Sequence, residues 1–404
     1  MARLPWVDPP DRTVCHVDMD CFYAACERRR NPDLDGEPIV VGMGYEPGTS
    51  HGAVATASYE AREYGVESAM SVSEALDRLP RRSDAEDPDD TGIYRPVDMP
   101  FYQSVSEDVR TVLEDAAETV RNVSIDEAYL DIGSVSWDDA EGFGRSLKRS
   151  IENATGVRAS VGIAPDMTTA KLASDADKPD GLVVVEPDEV RPFLAPMAVE
   201  RLHGVGPVTA RKLREMDFET AGEIARTDAS KLVDALGERG RDLHAQARGE
   251  DTRPVEPTGR PKSLSTESAF VDATDDKKRK RERIRGLAIE VSERASAKDV
   301  LYRTIGIKVV QPPFDVHTRA KSLPGPVDEP ELVESTALGL LAEFEDDPVR
   351  KLGVRLSNLS FDEREQATIE EWTSGANDTD TERFGWRANG ESRDPGQAEL
   401  SRFE

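Results

Sequence analysis

In the stretch NVSIDEAYLDI, Asn122 to Ile132, apolar and polar residues alternate with the two-residue period of a half-buried strand, and the alternation slips once. Val123 and Ile125 fall on one face and Ser124 and Asp126 on the other; after the adjacent acids Asp126 and Glu127, the apolar side resumes at Ala128, Leu130 and Ile132. A slip of one residue sends every later side chain to the opposite face, so one continuous strand does not fit. The segment reads as two short strands joined by a tight turn or bulge, with two carboxylates at the break. A lone acidic pair of this kind usually marks an exposed turn, so its meaning depends on what else the chain brings to the same place.

A second strand also ends in acids. Residues 14–19, VCHVDM, read as a buried strand that delivers Asp18 to its end, and Asp20 stands where it could cap the following helix CFYAACERRRN. EPIVVG reads as a strand of β-branched residues, and GAVATASYEAREYGV passes from a small-residue strand into a helix. Five acids among residues 84–90, with a proline between them, mark a solvated loop and an insertion. Strands and helices alternate from Tyr94 to Glu186. A helical region over 187–253 contains LHGVGPVTARKL, and TRPVEPTGRPK reads as an extended linker. Residues 263–361 return to strand–helix–strand character, clearest in YRTIGIKVV and KLGVRLSNLSF. From Asp362 to Glu404 the chain loses apolar content and carries 12 acids against 5 basic residues, the composition of a disordered tail.

A chain of 404 residues, 37% hydrophobic, has room for three or four domains. It has no run of about 18 apolar residues and no signal-like start, so a cytoplasmic location is expected. Its cysteines, Cys15, Cys21 and Cys26, form no C-x-x-C pair and read as buried reduced thiols. The 80 acids against 52 Lys and Arg give a net charge of −28, which taken alone argues against a nucleic-acid partner. Acidity spread along the chain, with only 13 lysines among the 52 cations, instead suits a salt-rich cytoplasm, where the Debye length falls to about 3 Å at 1 M. Net charge is then a weak guide to partners.

Asp18, Asp126 and Glu127, at the ends of neighbouring strands, are three hard oxygen donors suited to Mg²⁺, which completes its shell with water and substrate phosphate. Two such ions about 3.5 to 4 Å apart clamp an in-line phosphoryl displacement. Tyr59 and Arg62 share a helical face, and Lys178 stands in the loop DADKPDG; a triphosphate needs such donors. The run KKRKRERIR, Lys277 to Arg285, is locally basic and is either a phosphate contact or a solvated face.

The motifs VDMDCFYAACE, ATASYEAR, SIDEAYLDI and KLASDADKPDG stand in the order and spacing of the Y-family, DinB-type translesion DNA polymerases, which the chain resembles from about Val14 to Phe361. The resemblance implies a multidomain α+β fold shaped as a right hand. Its ferredoxin-like palm would comprise residues 12–22 and 94–186, with small fingers at 23–93. A helical thumb with a helix-hairpin-helix would span 187–253, a linker 254–262 and an α+β little finger 263–361. It further implies template-directed addition of dNTPs to a primer 3′-OH, at low fidelity and without a proofreading domain.

Carried over residue by residue, the family pattern makes Asp18, Asp126 and Glu127, with the backbone carbonyl of Met19, the ligands of two Mg²⁺ ions. Thr56, Tyr59, Arg62 and Lys178 match its triphosphate contacts, Tyr23 its steric gate against a ribose 2′-OH, and Ala53 and Ala55 its small residues over the nascent base pair. Gly204 and Gly206 suit a turn that offers backbone N–H groups to DNA phosphates. The extreme C-terminus, GQAELSRFE, places Gln397, Leu400 and Phe403 in a spacing that resembles the peptide binding a PCNA-type sliding clamp, with Glu404 where a second aromatic is usual. The expected partners are primer-template DNA, dNTP and the clamp, and the expected state is a monomer. Two alternatives remain at this point: a nucleotide cyclase on a related palm, and a catalytically inactive DNA- or clamp-binding scaffold.

Overall fold

The computed structural model describes residues 12–85 and 89–361. Residues 86–88 of the acidic stretch, and Gln397, Leu400 and Phe403 in the tail, therefore lie outside the described residues. The chain divides into two compact units between Thr258 and Gly259.

The first unit begins with β1 (Val14–Met19) and α1 (Phe22–Arg30), then β2 (Ile39–Met43), β3 (Ala53–Ala57), α2 (Tyr59–Glu63), α3 (Val72–Arg78) and β4 (Ile93–Pro96). Next come α4 (Met99–Ala116), β5 (Thr119–Asn122), β6 (Glu127–Asp131), α5 (Trp137–Thr155), β7 (Ala159–Ala164), α6 (Met167–Ala176) and β8 (Leu182–Val184). Five strands form one sheet in the order β5-β6-β1-β7-β8. The path β1–α4–β5–β6–α5–β7 is the split βαββαβ arrangement of ferredoxin-like sheets.

Period-two alternation decides what each face of this sheet carries. Cys15, Val17 and Met19 of β1 and Ala128 and Leu130 of β6 enter the core beneath α4 and α5. The buried positions of α4, Tyr102, Val105, Val109 and Leu113, recur every three or four residues and supply the apolar stripe that covers them. The intervening residues His16, Asp18, Glu127 and Tyr129 take the opposite face, over which α6 lies. This helix approaches very closely: a Cβ at Gly162 of β7 would stand 2.1 Å from the Ala170 carbonyl oxygen and 2.3 Å from Ser174 N. Only glycine admits the helix at that distance.

The expected break at Asp126–Glu127 is a tight turn between two short strands, but the first strand lies earlier than the alternation suggests. It is Thr119–Asn122, and residues 123–126 form the turn, closed by bonds from Val123 N (2.9 Å) and Ser124 N (3.2 Å) to the Glu127 carbonyl. The Ser106 hydroxyl of α4 donates to the Ile125 carbonyl (2.5 Å) and ties the turn to the core.

A separate small sheet has the order β3-β2-β4. Ile93–Pro96, expected in part to open the palm, pairs with β2 in parallel instead, because its apolar side chains complete this sheet. Thr56 pairs with Val41 and Val54 with Gly42, which leaves Ala55 as the extra residue of a β-bulge. Short helices follow the large sheet: α7 (Val190–Leu194), α8 (Pro207–Glu215), α9 (Ala221–Arg226), α10 (Ala229–Leu236) and α11 (Glu238–Ala247). Leu194, Val199, Leu202, Leu213 and Leu232 share one core with Met167 and Ala170 of α6.

The second unit runs β9 (Ser263–Thr274), α12 (Lys277–Ser296), β10 (Leu301–Gln311), β11 (Asp315–Val327), α13 (Pro330–Leu341) and β12 (Val349–Ser360). Its antiparallel sheet has the order β11-β10-β12-β9, with Ile305, Ile307, Leu352 and Val354 packed against Ile284, Val291 and Val333 of the helices. The basic run at the start of α12 serves this packing. Lys280 is fully buried and donates to the carbonyls of Phe344 (3.1 Å), Glu345 (2.6 Å) and Asp347 (2.8 Å), while Lys277, Arg281 and Arg285 pair with Asp346, Glu345 and Glu334. The reading of the run as a solvated face fits the exposed Lys277, Lys278, Arg279, Arg281 and Arg285 but misses the structural role of buried Lys280.

Candidate active site

The site forms at one end of the large sheet, on the face covered by α6. Asp18 and Glu127 are directly paired across β1 and β6, so their carboxylates stand side by side. Met19 N donates to the Asp126 carbonyl (2.9 Å), which binds the turn to the end of β1. The Asp126 carboxylate itself accepts from Ser124 Oγ within its own turn. Of the three expected carboxylates, the fold therefore sets two face to face and holds the third through a neighbouring hydroxyl.

Helix α6 and the loop behind it bring the counter-charges. Lys178 Nζ lies 2.6 Å from Asp18 Oδ1 and 3.0 Å from Asp175 Oδ1. Lys171 Nζ pairs with Glu127 Oε1 and lies 3.8 Å from Asp18 Oδ2. His16, fully buried, places Nε2 3.2 Å from Glu127 Oε1, too far off line for a good hydrogen bond. Its Nδ1 stands 2.8 Å from Ser174 Oγ, which donates to the Lys171 carbonyl (2.8 Å).

The charges answer to this geometry. Burial pushes the Asp18 carboxyl above its ordinary range, and Lys178 offsets this only in part. Burial also works against ionised Glu127, but His16 and Lys171 outweigh it and hold this carboxyl below the usual range. Both lysines lose by burial and gain more from the facing carboxylates, so their ammonium groups are strengthened.

Lys171, His16 and Ser174 escaped the sequence reading. Lys171 could have been found: it is one of 13 lysines and stands seven residues, about two helical turns, before Lys178. His16 is in phase with Asp18 on the strand. Asp20, expected to cap α1, does not: the cap position is Cys21, in the left-handed region at φ 45°, with no side-chain bond to the helix. β1 is the central strand of its sheet, and Asp20 just beyond its end is bonded by Ser160 of the neighbouring β7 instead.

The expected nucleotide contacts surround this centre unevenly. Tyr59 and Arg62 share α2 as expected; the Arg62 guanidinium lies 5.0 Å over the Tyr59 ring, and its Nε donates to the Ala57 carbonyl (3.1 Å). Thr56, Ala53 and Ala55 lie half-buried on β3. Tyr23 stacks on Tyr102 with ring centroids 4.5 Å apart. In the helical region, Gly204 adopts φ 81°, a conformation that glycine takes without steric cost, and Gly206 is the residue before α8.

The impB/mucB/samB family matches residues 17–175, its C-terminal domain residues 261–369, and the IMS family HHH motif residues 187–218. The protein named DNA polymerase IV of Halobacterium salinarum is 62% identical over 360 residues, 89% of this chain and 88% of that one. The chain belongs to the Y-family DNA polymerases, DinB type. A solved structure entitled "Y-family DNA polymerase chimera Dbh-Dpo4(243-245)-Dbh" superposes on the polymerase with a TM-score of 0.77 at 28% identity, covering 87% of this chain and 100% of that one. Another, "Insertion ternary complex of Dbh DNA polymerase", gives a TM-score of 0.61 at 26% identity over 87% of this chain and 100% of that one.

Y-family polymerases are metal-dependent, and the donor set fits that requirement. Among the described residues no three His, Cys, Asp or Glu side chains are gathered as a finished metal cage, since Asp126 faces Ser124 while Asp18 and Glu127 face lysines. The two ammonium groups stand where cations belong. Among the described residues, no helix is long and apolar enough to cross a membrane, and Cys15, Cys21 and Cys26 are free and buried.

Proposed function

We propose that the polymerase extends a primer 3′-OH on a DNA template with dNTPs at the centre between Asp18 and Glu127, in translesion synthesis. The observation that carries this reading is the register pairing of those two acids on the face beneath α6. Asp18, Asp126 and Glu127, with the Met19 carbonyl, would hold two Mg²⁺ ions; the chemistry such ions supply when bound is activation of the attacking hydroxyl and neutralisation of charge on the leaving pyrophosphate. No protein nucleophile is required.

Lys178, Arg62, Tyr59 and Thr56 orient the triphosphate, and Lys178 exchanges Asp18 for phosphate oxygen as it does so. Tyr23, stiffened by its stack on Tyr102, blocks a ribose 2′-OH. Ala53 and Ala55 leave room for distorted bases. The turn with Gly204 and Gly206 before α8 offers backbone N–H groups to DNA phosphates without reading sequence. Gln397, Leu400 and Phe403 tether the enzyme to a PCNA-type clamp, and the acidic protein works as a monomer in a salt-rich cytoplasm.

Primer extension with Mg²⁺ in molar KCl tests the centre. Glu127→Ala lowers insertion by about 10²-fold or more, the scale of losing one transition-state stabiliser, while primer-template binding persists. Wild-type extension by this variant excludes the assignment.

A further inference from the structure

Asp20, two residues beyond Asp18, is a buried carboxylate, 7% exposed. Three elements converge on it. The Tyr59 hydroxyl of α2 donates to Oδ1 (3.1 Å), Ser160 Oγ of β7 donates to the same oxygen (2.8 Å), and Asp180 N donates to Oδ2 (2.8 Å). Ser160 Oγ also accepts from Gly181 N (3.1 Å), so the pair holds two successive amides of the loop that carries Lys178. That loop is tightly shaped: Asp180 has φ 58°, and a Cβ at Gly181 would stand 2.4 Å from the Asp177 carbonyl oxygen. Burial and the neighbouring Asp20 push the Tyr59 phenol well above its ordinary range, so it keeps its proton and remains a donor.

We infer that Asp20 is a positioning residue for the incoming nucleotide, one carboxylate that fixes Tyr59 of α2 relative to the Lys178 loop of the large sheet. It touches neither the metal-ligand carboxylates nor any reacting atom. The inference rests on the reading of Tyr59 and Lys178 as triphosphate contacts. Residues from two separate sheets must meet one triphosphate, and among the described residues Asp20 is hydrogen-bonded to both sides. A phenol has a single hydrogen to donate, so Tyr59 keeps its bond to Asp20 and meets the triphosphate through its ring and the Arg62 guanidinium lying 5.0 Å over it.

Asparagine can hold the same geometry. Its oxygen faces Asp180 N, which can only donate, and its NH₂ faces the two hydroxyls, which can accept. Asp20→Ala holds nothing. Steady-state insertion of a single dNTP should therefore show KM raised about tenfold in Asp20→Ala, the scale of one hydrogen bond, with kcat within about threefold of wild type. Asp20→Asn should stay within about twofold of wild type in both. Tyr59→Phe alone raises KM, and Asp20→Ala combined with Tyr59→Phe is no worse than the worse single variant, because both break one contact.

Should Asp20→Ala not fold, Ser160→Ala loosens the same carboxylate and Gly181 N, and is expected to raise KM by a smaller factor without lowering kcat. Loss confined to kcat, failure of Asn to rescue, or effects that multiply in the double variant would each overturn the role of Asp20. A Tyr59→Phe variant with unchanged KM would instead remove the reading of Tyr59 as a nucleotide contact, and this coupling with it.

Discussion

At Lys171 an ammonium pairs with Glu127 and faces Asp18, two of the carboxylates proposed to hold a divalent cation. Its loss leaves Asp18 and Glu127 opposed across β1 and β6 with Lys178 as the nearer remaining cation. The variant Lys171→Met keeps the aliphatic stem and removes the charge. The protein without metal or DNA is expected to lose about 1 kcal/mol, a modest value because Lys171 is 34% exposed and therefore screened. Added Mg²⁺ or Mn²⁺ then raises the melting temperature of the variant at roughly tenfold lower concentration than in wild type, because the competing cation is gone. Equal titration midpoints for the two proteins would show that Lys171 does not compete for the site.

Single elements are held by charge as well as by apolar packing. Glu267 on β9 lies across Gly353 of β12, where a Cβ would stand 2.8 Å from the Glu267 Cγ. The missing side chain lets the carboxylate reach Lys351 (2.9 Å) and, beyond β12, Lys308 of β10 (3.2 Å). Burial opposes the charged form, but Lys351 and Lys308 outweigh it and hold Glu267 below its ordinary value of 4.5. A lowered folded value means that stability from this group is complete above about pH 4.5 and is lost as pH falls through the lowered value. Glu267→Gln should cost about 1 to 3 kcal/mol at neutral pH, since two partly buried lysines lose their partner. The gap in melting temperature between wild type and variant should stay constant above about pH 4.5 and close as the pH falls below it. A gap that widens on acidification contradicts this arrangement.

The whole molecule carries −28 charges yet is read as binding a polyanion. Screening decides whether that is workable, because added salt relieves acid–acid repulsion while weakening direct phosphate contacts. Melting temperature and extension rate are expected to rise together into molar KCl. A maximum below about 0.1 M in both titrations would refute the salt-adapted reading. The proposed clamp tether would act at the same scale, by raising the local concentration of enzyme at a clamp-bound primer end. Deleting residues 397–404, or Phe403→Ala alone, should reduce binding to the clamp of the same organism and clamp-stimulated synthesis, with clamp-independent insertion unchanged. Equal calorimetric affinity of truncated and full-length chains at matched salt would place the clamp contact elsewhere.

Local order was legible along the chain because it follows from periods of two and of three to four residues. The buried-strand reading of residues 14–19 placed Asp18 at the end of β1, the slip in alternation marked a turn beside Glu127, and the four motifs pointed to the family. The pairing of Asp18 with Glu127 needed the sheet register as well, since 109 residues separate the two. Partner choice over long separations was not legible. Asp20 had the look of a helix cap because capping is a local rule, but its partners Tyr59, Ser160 and Asp180 lie 39 to 160 residues away. Lys280 had the look of a surface charge until the segment after α13 closed three carbonyls around it. Lys171 became part of the site only because Gly162 lets α6 settle directly on β7. Sequence by itself determined the period of most strands and helices and so the faces of their apolar residues; the tertiary structure decided which buried charges meet, because a desolvated charge must find its counter-charge wherever the packed chain presents one.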